Sequence, residues 1–147
     1  MSYVEENAAA RDRILALASR STEAQMAEPL DGGWTICAEL AHLAFWDRVH
    51  TARLRGALEA GGDLPARLSP EAVDALNDSG LHGWRLIPGK AAISLFAEAS
   101  SEVDAYLATL EPGVVERIRA AGLDRHVDRF RHRTEHGDAI EEALRRP

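Results

Sequence analysis

Cysteine is all but missing from this chain of 147 residues: Cys37 stands alone. No internal disulfide can form, so the fold must rest on packing. Lysine is as scarce, occurring only at Lys90, so nearly all of the 17 basic side chains are arginines. No apolar run is long enough to cross a bilayer, which excludes a helical membrane span. No alternating run of β-branched residues is bounded by turns, which argues against strands. The opening residues Met1–Glu6 are acidic and lack the basic-then-apolar layout of a secretory leader. With the single cysteine, that sets the expectation of a cytoplasmic protein. The formal charge of -7 disfavours non-specific binding to nucleic acid. What remains, at 46% hydrophobic and 28% charged residues, is a globular chain able to bury one core, read as a single domain over 1–147.

Helical periodicity fills most of the length. From Val4 to Ala27 there is no Gly or Pro, and the spacing predicts a helix. Pro29 and Asp31-Gly32-Gly33 end it. Thr35 is placed to cap a long helix running to Ala60, before Gly61-Gly62. Ser69-Pro70-Glu71 starts a short helix, with a cap, Pro at the first position and an acid at the positive end of the dipole. Gly80 and Gly83 are expected to interrupt it. Between Lys90 and Leu110, Ala92, Phe96, Ala99, Val103, Tyr106 and Leu110 form one continuous stripe. After Glu111-Pro112-Gly113 and a turn or two of helix comes a last helix over Asp124–Arg145. The sum is an all-α, four-helix bundle. A long crossover containing the short helix joins its second and third long helices.

Within the second helix, Ile36 to Trp46 is apolar except for Glu39 and His42. A histidine in such a run cannot rely on water and needs a partner or a ligand. The last helix offers His132 and His136, four residues apart and so on one face, where both can reach one metal ion. His42 is the natural third ligand, with His50 the substitute. His50, His82 and His126 default to surface or hydrogen-bonding roles. A wheel of the last helix shows two stripes, Val127/Phe130/Thr134/Gly137 and His132/His136/Ile140/Ala143. The second is taken as the core face. The first then meets another subunit, unless the helix begins near Phe130. His132-x-x-Glu135-His136 also fits an inverted zinc-peptidase signature, but too little chain follows for the further ligand. Cys37 lies in a first helical turn, where a thiolate is favoured, though a buried, inert thiol is the commoner case. The arginines of the C-terminal region are read first as a solvated face and second as an anion site.

Gly33-Trp34-Thr35-Ile36, Glu39-Leu40-Ala41-His42-Leu43-Ala44, Trp46-Asp47 and His132-x-x-x-His136 together resemble the DinB superfamily. Val73-Asp74-Ala75-Leu76-Asn77 is most similar to its mycothiol-dependent maleylpyruvate isomerase N-terminal branch, in which a Glu can stand where this chain has His132. The resemblance covers essentially the whole chain. It implies a bundle of DinB type, a homodimer, and a divalent metal held by His42, His132 and His136. It also implies a mycothiol-like low-molecular-weight thiol as cosubstrate.

The expected function is a metal-dependent thiol transferase or isomerase acting on a small molecule, with hydrolysis behind it. Three neutral histidines leave open positions at the metal. Zn suits a thiol best, with Ni, Co or Fe open on ligand type. Trp46 for stacking, Asn77 for orientation and Arg129 (before Arg133) for an anionic group are the substrate-binding candidates. No catalytic base is evident, and Asp47 and Glu135 are expected to contact imidazole N–H groups instead. The alternatives are a non-catalytic metal- or small-molecule binder for stress or self-resistance, and a dimerisation bundle with structural histidines. No membrane or nucleic-acid partner is expected.

Overall fold

The computed structural model describes all residues, 1–147, as seven helices: α1 Tyr3–Ser19, α2 Glu23–Ala27, α3 Ile36–Glu59, α4 Pro70–Trp84, α5 Gly89–Leu107, α6 Pro112–Ala120 and α7 Arg129–Arg145. Single 3-10 turns at Asp31–Gly33 and Asp124–His126 precede α3 and α7. Local chemistry explains the starts. The Ala38 amide donates to Thr35 Oγ1 at 3.0 Å, and the Ala72 amide to Ser69 Oγ at 3.1 Å with Pro70 in the first turn. These satisfy amides that the helix leaves orphaned.

Four long helices make the bundle. α3 packs on α5 and α7, and α1 packs on the same two, so α1 faces α3 across the bundle and α5 faces α7. Consecutive helices are therefore not all neighbours. The crossover carries α4 to the outside of α3, and α2 wedges against α3 and α5. One apolar cluster joins Ile14, Leu17, Met26, Ile36, Leu40, Leu43, Phe96 and Ile140. A second, around Leu54, Val103, Leu107, Ile118 and Val127, seals the other part of the bundle with α6.

Three local differences from the sequence reading have plain causes. The first predicted helix is two: Thr22 and Gln25 form a capping box that starts α2 afresh, so the chain breaks after Ser19. α4 runs on through Gly80 and Gly83 to Trp84. Gly80 is tolerated there because the Trp84 ring folds back over it, where a Cβ would overlap the indole. α7 begins at Arg129, and Asp124–His126 is a separate turn, so Val127 sits in the core ahead of the helix.

The face of α7 also differs. Its buried residues are Arg129, Arg133, Gly137 and Ile140, at spacings of four, four and three. That stripe runs between the two expected ones and is half arginine. His132 and His136 flank it, half-buried, and face a cavity. Gly137 is buried where α1 crosses, with Ile14 and Arg13 nearby.

Asn7 of α1 staples the start of α7. It donates from Nδ2 to Val127 O at 2.9 Å and accepts at Oδ1 from the Phe130 amide at 2.7 Å, while its own carbonyl accepts from Arg133 at 2.9 Å. The side chain is 1% exposed. Replacing Asn7 by Ala leaves the Phe130 amide without a partner and the Val127 carbonyl with the Arg129 amide alone. The expected loss is about 2 kcal/mol of stability in urea unfolding, with α7 the element that loosens first by amide hydrogen exchange. Unchanged unfolding would show that water satisfies both groups.

Candidate metal centre

His42 on α3 and His132 and His136 on α7 converge. One ring nitrogen from each lies within 4.8 Å of the others, and His42 Nε2 stands 3.0 Å from His132 Nε2. Their surroundings are aromatic. The His42 ring meets Trp34 and Trp84 edge-on, with centroids 5.2 and 5.4 Å away. Trp34 comes from the loop before α3, and Trp84 from the last turn of α4. The apolar run of α3 that isolates His42 is thus closed on its open side by two indoles.

The hydrogen bonds assign the protons. Glu39, one turn before His42, bonds Nδ1 of His136. Nδ1 is therefore the protonated nitrogen of that ring, and when the ring is neutral Nε2 carries the lone pair. At His132 the neighbour is Arg129, whose Nη2 lies 3.1 Å from Nδ1. A guanidinium only donates. His132 Nδ1 accepts, its proton sits on Nε2, and that N–H points at His42 Nε2, which accepts in turn. His42 is left with a protonated, buried Nδ1 that has no partner. Burial, then the charges of His136 and Arg129, push the His42 pKa down to about 3. Burial and then Arg129 hold His132 well below its usual value. Both rings are neutral at pH 7, the state a metal requires.

The chemistry of the donor set fits a divalent ion on these counts, since the donors are three imidazoles on two rigid helices and burial holds two of them, His42 and His132, in the neutral form. His42 already turns a lone pair inward, and the Glu39 bond leaves Nε2 of His136 as the nitrogen facing the other two rings. His132 turns a lone pair inward once its Nε2 proton leaves or moves to Nδ1, and the second route displaces Arg129.

Beneath the histidines lies a buried ion network. Arg129 Nε donates to Asp47 Oδ1 at 2.8 Å, and Arg133 Nη2 to Asp47 Oδ2 at 2.9 Å. Arg133 Nη1 also reaches Asp104 of α5 at 2.8 Å, and Arg11 of α1 reaches the same carboxylate at 3.0 Å. Arg129, Arg133 and Asp47 are 1%, 0% and 0% exposed at their side chains. This corrects the expected second contacts. Asp47 holds two arginines and no imidazole, Glu135 pairs with Arg125 on the surface, and the carboxylate on an imidazole is Glu39. Sequence reasoning had noted Glu39 only as one of two polar residues in an apolar helix. Its place three residues before His42 was the signal.

A cavity of about 820 Å³ opens from the histidines. Trp46 and Asn77 share its wall, where the Trp46 indole N–H donates to Asn77 Oδ1 at 2.8 Å. Arg129 also lines it, with Nε on Asp47, Nη1 on Arg125 O and Nη2 on His132. His50 and His126 form a second imidazole pair in the same wall, Nδ1 to Nε2 at 3.3 Å. This pair was missed because His126 was read as lying inside the last helix. His82 is exposed. Cys37 is buried, and burial pushes its thiol pKa up, so no activated thiolate stands at that helix start.

A family model of the DinB superfamily matches residues 6–143. The chain belongs to the DinB superfamily. No curated protein and no solved structure matches it. For this DinB-superfamily chain the expected bundle is therefore the family's fold, and the clustered histidines sit on its α3 and α7.

Two predictions follow from the site's charges. Asp47→Ala removes the only carboxylate on buried Arg129 and one of the two on Arg133, so a loss of about 3–5 kcal/mol is expected, read by urea unfolding; a loss under about 1 kcal/mol would mean that Arg129 reaches water. The second concerns acid. Burial, then Arg129, lowers the pKa of His50 to about 2 and of His126 to about 4. The unfolded chain takes up these protons near pH 6.5 and the folded chain only below pH 4. Stability is thus complete above pH 6.5 and falls as the pH drops toward 4. Urea midpoints measured at pH 7, 6 and 5 should decrease in that order, and His50→Gln should flatten the trend.

Proposed function

We propose that His42, His132 and His136 hold a divalent metal and that the cavity beside them admits a low-molecular-weight thiol and a small electrophilic substrate for transfer or isomerisation. The observation that carries this is the meeting of three imidazoles from two helices at the end of a large cavity. A bound divalent ion would supply charge that lowers the pKa of a coordinated thiol or water. Zinc is the preferred ion, because a thiolate is a soft ligand.

The chain's own residues set the stage for that chemistry. Glu39 accepts from His136 Nδ1–H and keeps Nε2 turned inward. Trp34 and Trp84 exclude water from the His42 side. Trp46, held in orientation by Asn77, offers a flat face to a planar substrate. Arg129 lines the cavity wall and is proposed to act on the substrate through His132, fixing its ring. A mycothiol-like thiol, the maleylpyruvate isomerase branch and a homodimer are supported by the resemblance of the Trp34–Asp47 and Val73–Asn77 segments, and a cytoplasmic location by the single cysteine.

A second reading, a metal or small-molecule binder without turnover, has its own support. The carboxylates nearest the histidines are committed, Glu39 to His136 and Asp47 to two arginines. No free acid stands beside them to move a proton.

The test begins with metal. Protein purified without a histidine tag should hold close to one divalent ion per chain by elemental analysis, and His136→Ala should lose it while keeping its helical circular dichroism. No metal in the wild-type protein after incubation with zinc would end the enzyme reading and the metal-binder reading alike. With metal bound, turnover of an electrophile panel in the presence of a thiol selects the enzyme, and binding without turnover selects the binder.

A further inference from the structure

The cavity does not end at the three histidines. His42, Trp46, His50 and Arg53 succeed one another on α3 at spacings of four, four and three, and all four line it. They form one face of a straight helix, about 16 Å from first to last at 1.5 Å per residue. The near end is imidazole and indole. The far end is basic. Five arginines line the cavity, at 53, 67, 125, 129 and 131, against two carboxylates, Asp124 and Glu135.

Most of those charges are already answered. Arg129 is paired with Asp47, Arg125 with Glu135, and Arg131 lies 3.9 Å from Asp128. Arg53 and Arg67 differ. Neither has a carboxylate within salt-bridge distance. Arg53 Nη2 donates to Ala66 O, and Arg67 donates through Nε and Nη2 to Gly122 O. These bonds to neutral carbonyls orient each guanidinium and leave its charge unbalanced, with further N–H groups free. On a chain of net charge -7, two unpaired guanidinium groups at one end of a cavity are a local reversal of field. Such a reversal favours an anion there.

We propose that Arg53 and Arg67 form an anion subsite at the far end of the cavity. The ligand is then an elongated molecule carrying a carboxylate or phosphate on the order of 10–15 Å from the end that meets the histidines, a length set by the rise of α3. The subsite stands on the arginines alone. Only the assignment of the reacting end rests on the three-histidine reading above. His50 and His126, a neutral pair between the two ends, offer hydrogen bonds along the way without adding charge.

The subsite is tested first without metal. Chelator-treated, dialysed protein is titrated with inorganic phosphate and, separately, with octanedioate at constant ionic strength, by calorimetry and by tryptophan fluorescence. Saturable binding of at least one is expected, phosphate alone marking a phosphate ligand and the diacid alone a carboxylate. R53Q/R67Q should weaken binding at least tenfold. R53K/R67K should keep most of it, although both variants lose the guanidinium bonds to Ala66 and Gly122. R55Q, whose arginine stacks on Tyr106 away from the cavity, should bind as wild type. No saturable binding of either anion, or equal binding in R53Q/R67Q, overturns the subsite. If the double variant fails to fold, R53Q and R67Q singly should each weaken binding at least threefold, and no change in either is the same refutation. Length is tested on cobalt-loaded protein with ω-mercaptoalkanoic acids of three to eleven carbons and the matching mercaptoalcohols. The affinity ratio of acid to alcohol should rise with chain length in wild type and stay flat in R53Q/R67Q. A flat wild-type ratio overturns the placement of the anion. Absence of any thiolate absorption band counts against the metal reading and leaves the phosphate titration to decide the subsite.

Discussion

One carboxylate, Asp47, fixes how α7 lies on α3. Its two oxygens each take a guanidinium, Arg129 and Arg133, one turn apart on α7. Arg129 and Arg133 each precede a site histidine by three residues, so the ion network and the histidine cluster share one register. Sliding α7 by one turn, about 5.4 Å, would carry one arginine of the pair into the other's place, so that Asp47 keeps one guanidinium instead of two, the second buried arginine loses it, and only one of His132 and His136 still meets His42. Apolar contacts at the same positions could supply comparable stability, because desolvating buried ions costs about as much as pairing them returns. They would not penalise the slipped arrangement so heavily, since a leucine finds another groove more easily than a buried guanidinium finds another carboxylate. Asp104 and Asn7 complete the restraint from α5 and α1, so all four long helices touch the two arginines or their partners.

Arg129, one of that pair, together with Glu39 accounts for the inequality of the three histidines. Glu39 faces one imidazole with an acceptor, and Arg129 faces another with a donor. Opposite neighbours force opposite tautomers on His136 and His132. A site built for metal alone would place acceptors behind every ring. Here one ring is held as a donor toward His42, so His132 and His42 are hydrogen-bonded to each other while His136 is held apart by Glu39. Binding of an ion would exchange the His132–His42 bond for coordination.

Much of the fold and part of the site could be read from residues alone. Thr35 and Ser69 announced their helices because capping chemistry is local, and the stripe from Ala92 to Val103 announced its face because burial follows helical pitch. The histidines of α3 and α7 were legible for the same reason: a polar ring in an apolar run, and a spacing of four. The misreadings of the α7 face and of the contacts around the histidines involve charge. Arginine is expected in water, so a wheel of α7 assigned its core to the histidine side and left Arg133 outside, whereas both core arginines are answered by acids from other helices. Asp47 was read as a contact for an imidazole because its partners are more than eighty residues away. Long-range pairing of charge leaves no periodic trace in one sequence. The break at Ser19 was legible in principle, as Thr22 and Gln25 spell a capping box, but the alanine-rich composition on both sides hid it.

Arg129 then does more than hold a register. Burial is the first cause that lowers the pKa of His50, His126 and His132, and Arg129 is the second in each; for His42 it follows burial and His136. A single buried cation thus helps keep four imidazoles uncharged along one wall. The consequence is a division of labour by distance. Near Arg129, positive charge is fixed by Asp47 and spent on suppressing protonation, which preserves lone pairs. At Arg53 and Arg67, beyond the His50–His126 pair, positive charge has no carboxylate to spend itself on. Were the rings between them protonated, the cavity would be basic throughout and an anion could settle anywhere in it. Because they are neutral, the uncompensated field is confined to the far end, and the orientation of an elongated anion in the cavity is decided by charge before any contact with the histidines is made.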